Sequence, residues 1–231
     1  MRILGIVPAR GGSKGIPGKN LVDVCGKPLV AWSIATGQAL FEKGALTRCV
    51  VSTDDATIAE VARRYGADVP FLRPADIASD TAKALSYVLH ALDTLEPQDG
   101  PYDAVMLLQP TSPRRDIDMI VDAVKRFRAA RSDSLISCYQ EDYVNDLVMY
   151  LDQGDGSLVP KHPQHNAGVR RQDHGTVMVR NGALYLTRVP YLRATGTLVC
   201  DRPIFVRMRK IDCIDVNTPD DLELLRAVLC R

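Results

Sequence analysis

The sequence predicts an α/β fold built on a mainly parallel sheet covered by helices on both faces, with one inserted arm. Three observations carry this. Short apolar runs alternate with amphipathic stretches of helical spacing, which is the pattern of strand–helix units. The pattern breaks once, between about residues 141 and 180, where glycines, prolines and three of the four histidines collect. It then returns with further apolar runs and a helix that starts on Thr218-Pro219, a threonine N-cap followed by proline at the first helical position.

Taken in order, Ile3–Val7 reads as a buried strand, as do Arg48–Ser52, Val69–Leu72, Ala104–Gln109 and Leu135–Tyr139. Between them Pro28–Leu40, Ala56–Tyr65, Ala82–Leu95 and Ile117–Ala130 have helical spacing. The helix from Asp54 to Tyr65 starts acidic and ends on arginines, matching the helix dipole. Residues 141–180 carry Gly154, Gly156, Pro160 and Pro163 with short alternating segments, so an arm or hairpin is expected there. Ala183–Thr187, Ile204–Met208 and Ile211–Val216 read as strands before the last helix. The 231 residues suit a single domain, and ligands of such sheets bind beyond the carboxyl ends of the strands.

A formal net charge of +1 gives no general polyanion-binding surface, so nucleic acid is not an expected partner. No apolar run approaches the roughly 20 residues of a membrane span. The first one, Ile3–Val7, is too short for a signal peptide and runs into Pro8-Ala9-Arg10, so a cytosolic protein is expected. The six cysteines (Cys25, Cys49, Cys138, Cys200, Cys213, Cys230) are scattered without a C-x-x-C pair. That spacing suits neither a zinc site nor a disulfide scaffold, and predicts reduced, mostly buried thiols.

Four segments could carry chemistry. Pro8–Asn20 follows the first strand and combines four glycines with Arg10, Lys14 and Lys19. Glycines let the backbone come close to a ligand, consecutive N–H groups can form an anion nest, and the cations add charge, so the loop could cradle a triphosphate. It fits neither the Walker A pattern nor G-x-G-x-x-G. It does fit G-x-S-x-G through Ser13, but that hydrolase elbow needs a helix directly after the serine, and Ile16-Pro17-Gly18 opposes one. The second segment, Leu107–Arg115, ends a strand on Gln109, whose amide can hydrogen-bond a base or a sugar. The third, Arg180–Leu186, holds an Asn-Gly step that by itself signals only a turn. In the fourth, Ile211–Asp221, Asp215 and Asn217 stand two apart on an expected strand and would offer two oxygen ligands on one face, a donor set that suits Mg²⁺.

In this order the four segments resemble the acylneuraminate cytidylyltransferase family, the CMP-sialic acid synthetases and their relatives. The resemblance rests on Ala9–Asn20, Leu72-Arg73-Pro74 with Ala78–Thr81, Leu108–Pro113, Arg171-Gln172, Asn181–Tyr185, and Asp215 with Asp221. It implies a Rossmann-like sheet and a homodimer whose arm reaches over the partner's site. The implied reaction is attack of a sugar acid's anomeric hydroxyl on the α-phosphorus of CTP, helped by Mg²⁺. By the same resemblance, Arg10, Gly11, Gly12, Ser13, Lys14, Lys19 and Asn20 would hold the nucleotide, with Arg73 and Ser79 near the cytosine. Gln109, Arg171, Gln172 and Asn181 would hold the sugar, and Asp215 and Asn217 the metal.

Two departures bear on the substrate. Many members carry an aspartate where this chain has Asn217, and sialic-acid enzymes commonly carry a basic residue near the start of the arm, where this chain reads Asp142–Asp146. N-acetylneuraminic, legionaminic and pseudaminic acids all remain open. The rivals are a synthetase for the eight-carbon acid Kdo, a sugar-1-phosphate nucleotidyltransferase, a catalytically silent nucleotide-binding module, and a Ser13 hydrolase.

Overall fold

The computed structural model describes residues 1–79, 82–144, 146–166, 168 and 176–230. The first half runs β1 (Ile3–Pro8), a short antiparallel pair β2 (Asp23–Val24) and β3 (Lys27–Pro28), α1 (Leu29–Glu42), β4 (Arg48–Ser52) and α2 (Ala56–Arg64). It continues with α3 (Ala84–Asp99), β5 (Ala104–Leu107), α4 (Ile117–Ala129) and β6 (Ser134–Glu141). The hairpin β7 (Tyr150–Asp152) and β8 (Leu158–Pro160) follows. Last come β9 (Val177–Arg188), α5 (Val189–Thr195), β10 (Ile204–Arg207) and α6 (Pro219–Leu229).

Six strands form one sheet in the order β10-β6-β9-β5-β1-β4. β9 alone runs antiparallel to its neighbours; the remaining pairs are parallel. Side chains alternate across the central strands. Ile3 and Val7 of β1 join the core under α1, α2 and α4, while Leu4 and Ile6 join the core under α3 and α5. Burial on both faces explains why these strands read as continuous apolar runs. Helix starts follow their side chains. Asp55 accepts from the backbone N–H groups of Thr57 and Ile58, a cap worth about 1 kcal/mol. Thr218 and Asp221 form a reciprocal capping box at α6.

A third, smaller core fixes the site. Ile16 of the glycine-rich loop, Val24, Leu29, Ile214 and Val216 pack with Leu222 and Leu225 of α6. Cys25 and Cys230 close this cluster with a disulfide across 205 residues of sequence, their Cα atoms 5.3 Å apart. This corrects the expectation of reduced thiols for that pair: separation along the chain conceals that α6 returns to the β2–β3 turn. Such a cross-link typically stabilises a fold by about 2–4 kcal/mol. Cys49, Cys138, Cys200 and Cys213 are free.

Two expected strands do not form. Val69–Leu72 touches the edge strand β4 only through isolated bridges at Asp68 and Leu72, because Pro70 has no N–H to donate between them. Ile211–Val216 begins in a 3₁₀ turn (Lys210–Asp212), where Asp212 N and Cys213 N donate to Arg209 O and Lys210 O instead of to a neighbouring strand. The arm is rooted where β6 passes out of the sheet. There Glu141 accepts from Tyr143 N and Val144 N and pairs with Lys210 Nζ at 2.5 Å. Beyond it, Tyr143, Val148, Tyr150, Leu151, Leu158 and Val159 are exposed.

The Lys210 hydrogen bond and the two backbone donors pull the Glu141 pKa from 4.5 to about 2. A depressed carboxylate pKa adds stability above the unfolded value, and that contribution is lost as pH falls through the folded value. Glu141→Gln is therefore expected to be less stable than wild type at neutral pH, with the gap closing between pH 4.5 and about 2. Denaturant midpoints across that range would check this; a gap independent of pH would deny the pair its role.

Candidate active site

A cleft of about 520 Å³ opens beyond the carboxyl ends of β1 and β5. It is lined by Arg10, Ser13, Lys14, Lys19 and Asn20 of the loop after β1, by Asp215 and Asn217, by Gln109, and by Arg73 and Ser79. The family resemblance implied these ten residues as one site, Arg73 and Ser79 on its ground alone. Sequence reasoning did not foresee Tyr87, which also lines the cleft from α3. A helical tyrosine between Ser86 and Val88 carries no signal of its own.

The glycine-rich loop folds on the protein before it meets any ligand. Ala9 N donates to Ser52 O, and Gly11 N to Asp54 Oδ1. The amide of buried Asn20 reaches back to Arg10 O at 2.9 Å. Gly18, at φ 62°, turns the chain into a 3₁₀ turn at Lys19–Leu21, a left-handed conformation that favours glycine. No helix follows Ser13, as the rejected hydrolase elbow would require. Two glycines are needed for close approach to the protein itself. A Cβ on Gly11 would stand 2.7 Å from Asp55 Oδ2, and one on Gly15 would stand 2.3 Å from Asn217 O. Gly12 faces open space, and neither Gly11 nor Gly12 lines the cleft.

Lys19 joins this loop to the opposite wall. Its Nζ donates to Val216 O at 2.9 Å and to Asn217 Oδ1 at 3.4 Å. Burial pulls its pKa down, with Asp215 opposing. Asp215 is held by two neutral donors, Ser112 Oγ at 3.3 Å and Asn217 Nδ2 at 2.8 Å. Contrary to the expectation from the sequence, no regular strand sets this pair on one face. A side-chain hydrogen bond joins them instead. In this arrangement Asn217 turns its donor to Asp215 and its oxygen to Lys19, so the carboxylate of Asp215 is the anionic metal ligand on offer. Among the described residues no group of three or more His, Cys, Asp or Glu gathers to hold a metal. One carboxylate facing a cationic loop fits Mg²⁺, which keeps several waters and binds phosphate oxygens.

Arg73 is buried, donating to Ser52 Oγ at 3.1 Å and Ser52 O at 2.6 Å, with its guanidinium 4.6 Å from the Tyr87 ring centroid. Burial pulls its pKa down. Asn181 is not brought to the cleft wall. Its Oδ1 accepts from Ser137 Oγ and Ala183 N, and its Nδ2 faces Met208 Sδ and Cys213 Sγ. Its backbone oxygen lies 3.5 Å from Ser112 Oγ, so Asn181 borders the site from behind. Arg171 and Gln172, and from the wider resemblance Asp80 and Thr81, lie outside the described residues.

Since the Gly15 contact leaves no room for a methyl group against a backbone oxygen, Gly15→Ala must displace the loop from the Asp215 wall. Nucleotide affinity measured by calorimetry is expected to fall at least about tenfold, or 1.4 kcal/mol. An unchanged affinity would show that the loop does not hold the nucleotide in this position.

Residues 4–149 match the family described as Cytidylyltransferase. The chain is 46% identical to CMP-N,N'-diacetyllegionaminic acid synthase of Legionella pneumophila over 231 residues, covering 99% of this chain and 97% of that one. It is 32% identical to pseudaminic acid cytidylyltransferase of Campylobacter jejuni, over 98% of this chain and 95% of the relative. Among solved structures, a CMP:2-keto-3-deoxy-manno-octonic acid synthetase complexed with CTP superposes with a TM-score of 0.67 at 16% identity, covering 99% of this chain and 98% of that one. A 4-diphosphocytidyl-2C-methyl-D-erythritol synthase gives 0.68 at 12% identity, with the same coverage of both chains. Those two likenesses establish the Rossmann-like nucleotidyltransferase fold. Together with the family match and the near full-length relatives, they place this chain in the cytidylyltransferase family as a nucleotidyltransferase of the CMP-nonulosonic acid synthetase group.

Proposed function

We propose that the chain transfers cytidine monophosphate from CTP to the anomeric hydroxyl of a nonulosonic acid of the legionaminic type, releasing pyrophosphate. The observation that carries this is the cleft itself: a loop bearing Arg10, Lys14 and Lys19 and a single carboxylate, Asp215, line one space of about 520 Å³. Identity of 46% along the whole length to a legionaminic acid enzyme supports that sugar, and the lack of a basic residue at Asp142–Asp146 counts against N-acetylneuraminate alone.

In this reading Arg10, Ser13, Lys14 and Lys19 bind the triphosphate, and Arg73 and Ser79 meet the cytosine. Gln109 orients the sugar, and the family resemblance assigns Arg171 and Gln172 to the same substrate. The oxygen of the anomeric hydroxyl forms a bond to the α-phosphorus and gives up its proton to solvent water as the bond to the pyrophosphate oxygen breaks and pyrophosphate leaves with the bonding pair. Catalysis then rests on positioning and on positive charge aimed at the phosphates. Magnesium, when bound, would neutralise phosphate charge, and Asp215 would hold it with Asn217 alongside. The exposed apolar hairpin β7–β8 suits contact with a second copy of the chain, in keeping with a homodimer.

The test is pyrophosphate release in the presence of Mg²⁺, crossing four nucleoside triphosphates with N,N'-diacetyllegionaminate, pseudaminate, N-acetylneuraminate and Kdo. Release is expected with CTP and the legionaminate. Release only with Kdo, or none with any pair from folded protein, would defeat the proposal. Asp215→Ala is expected to lower kcat at least about 100-fold while leaving CTP affinity within a few-fold, since it removes the carboxylate proposed to hold the metal at the reacting phosphates. Wild-type turnover by that variant at saturating Mg²⁺ would remove Asp215 from the site.

A further inference from the structure

We infer that Arg115, which does not line the cleft, is a positioning residue that sets the Gln109–Ser112 turn and through it the carboxylate of Asp215. Its guanidinium reaches three separate elements. Nη2 donates to Gln109 O at 2.7 Å, Nη1 to Ser33 Oγ of α1 at 2.9 Å, and Nε to Ala183 O of β9 at 2.8 Å. None of these acceptors is a carboxylate. Its neighbour Arg114 takes the ordinary course and pairs with Asp212, Nε to Oδ1 at 2.5 Å.

The acceptors lie where they matter for the site. Gln109 O is a hub that also accepts from Ser33 Oγ at 3.3 Å and Ser112 N at 3.1 Å. From the same turn, Thr111 O accepts Val216 N at 2.8 Å, and Ser112 Oγ donates to Asp215 Oδ1. The path from Arg115 to Asp215 is therefore a continuous set of hydrogen bonds: guanidinium, Gln109 carbonyl, turn, then both the backbone and the side chain of the 215–216 segment. A half-buried cation that hydrogen-bonds no carboxylate is costly to keep, and only the nearby charge of Asp215 acts in its favour. Only a planar fork can serve three acceptors in three directions, which a lysine ammonium on its flexible stem cannot reproduce. A shift of about 1 Å in a catalytic group can cost on the order of 100-fold in rate.

The inference rests on the reading of Asp215 and Gln109 as site residues, and the test separates the two. Arg115→Lys would be compared with wild type by thermal melting, CTP calorimetry, kcat and KM, and Mn²⁺ titration of the protein–CTP complex followed by electron paramagnetic resonance. The expected result is a folded variant with CTP affinity within about threefold of wild type. Its kcat should be lowered on the order of 100-fold and its Mn²⁺ binding weakened at least about fivefold. A variant that melts earlier but keeps its kcat and Mn²⁺ affinity would overturn the inference and leave Arg115 a structural residue only. If Arg115→Lys does not fold, Ser33→Ala decides, because it removes one acceptor and keeps the guanidinium. A fall in kcat and Mn²⁺ affinity supports the inference, and no change overturns it. If wild type turns over no substrate pair, the functional reading fails by itself, and the Mn²⁺ comparison still judges Arg115.

Discussion

The contact on which the rest of the site depends is the one between the glycine-rich loop and the Val216–Asn217 backbone. Gly15 sits so close to Asn217 O that a side chain cannot fit, and Lys19 Nζ hydrogen-bonds Val216 O. Residues 200 positions apart thus form one wall-to-wall unit. The small core of Ile16, Val24, Leu29, Val216 and Leu225 lies beneath it, and the Cys25–Cys230 disulfide closes its edge. The sheet supplies a rigid rim, and α6 carries the acidic segment back to the loop after β1. The cleft exists because these two arrive at the same place.

Charge in this cleft is arranged by an unusual choice of partners. Arg73 is buried and Lys19 and Arg115 are half-buried, yet their hydrogen bonds go to carbonyl, hydroxyl and amide oxygens instead of carboxylates. Desolvation pulls each of them below its ordinary pKa. Neutral acceptors hold a cation in place without cancelling its field, so positive potential remains available to a polyanionic nucleotide. Asp215 is the counterpart: its two oxygens are held by a serine hydroxyl and an asparagine amide, which orient the carboxylate and leave its charge intact. Where a second aspartate is common in the resembling family, Asn217 acts here as a bridge between Lys19 and Asp215.

Much of this was readable before the structure. The strands Ile3–Val7 and Arg48–Ser52 and the four helices between β1 and β6 showed in apolar periodicity, because central strands are buried on both faces and helices on one. The loop cations, Gln109 and Asp215 showed as chemistry at strand ends. What escaped was set by contacts distant in sequence. Ile211–Val216 has strand composition, but its backbone donors are taken by a local turn. Val69–Leu72 fails as a strand because of a single proline. The Cys25–Cys230 pair, the inward turn of Asn181 and the role of Arg115 all depend on which elements meet in space, and no local spacing encodes that. Arg114 and Arg115 are adjacent and identical in type, yet one pairs with Asp212 and the other holds the Gln109 turn from outside the cleft.

The central claim is that the loop after β1 binds the triphosphate while Asp215 faces it across the cleft. The most direct test is a crystal structure of the protein with CTP and Mg²⁺. The account predicts the triphosphate against Arg10, Ser13, Lys14 and Lys19, the cytosine toward Arg73 and Ser79, and the metal between the phosphates and Asp215. A triphosphate bound away from this loop, or a metal held without Asp215, would contradict it.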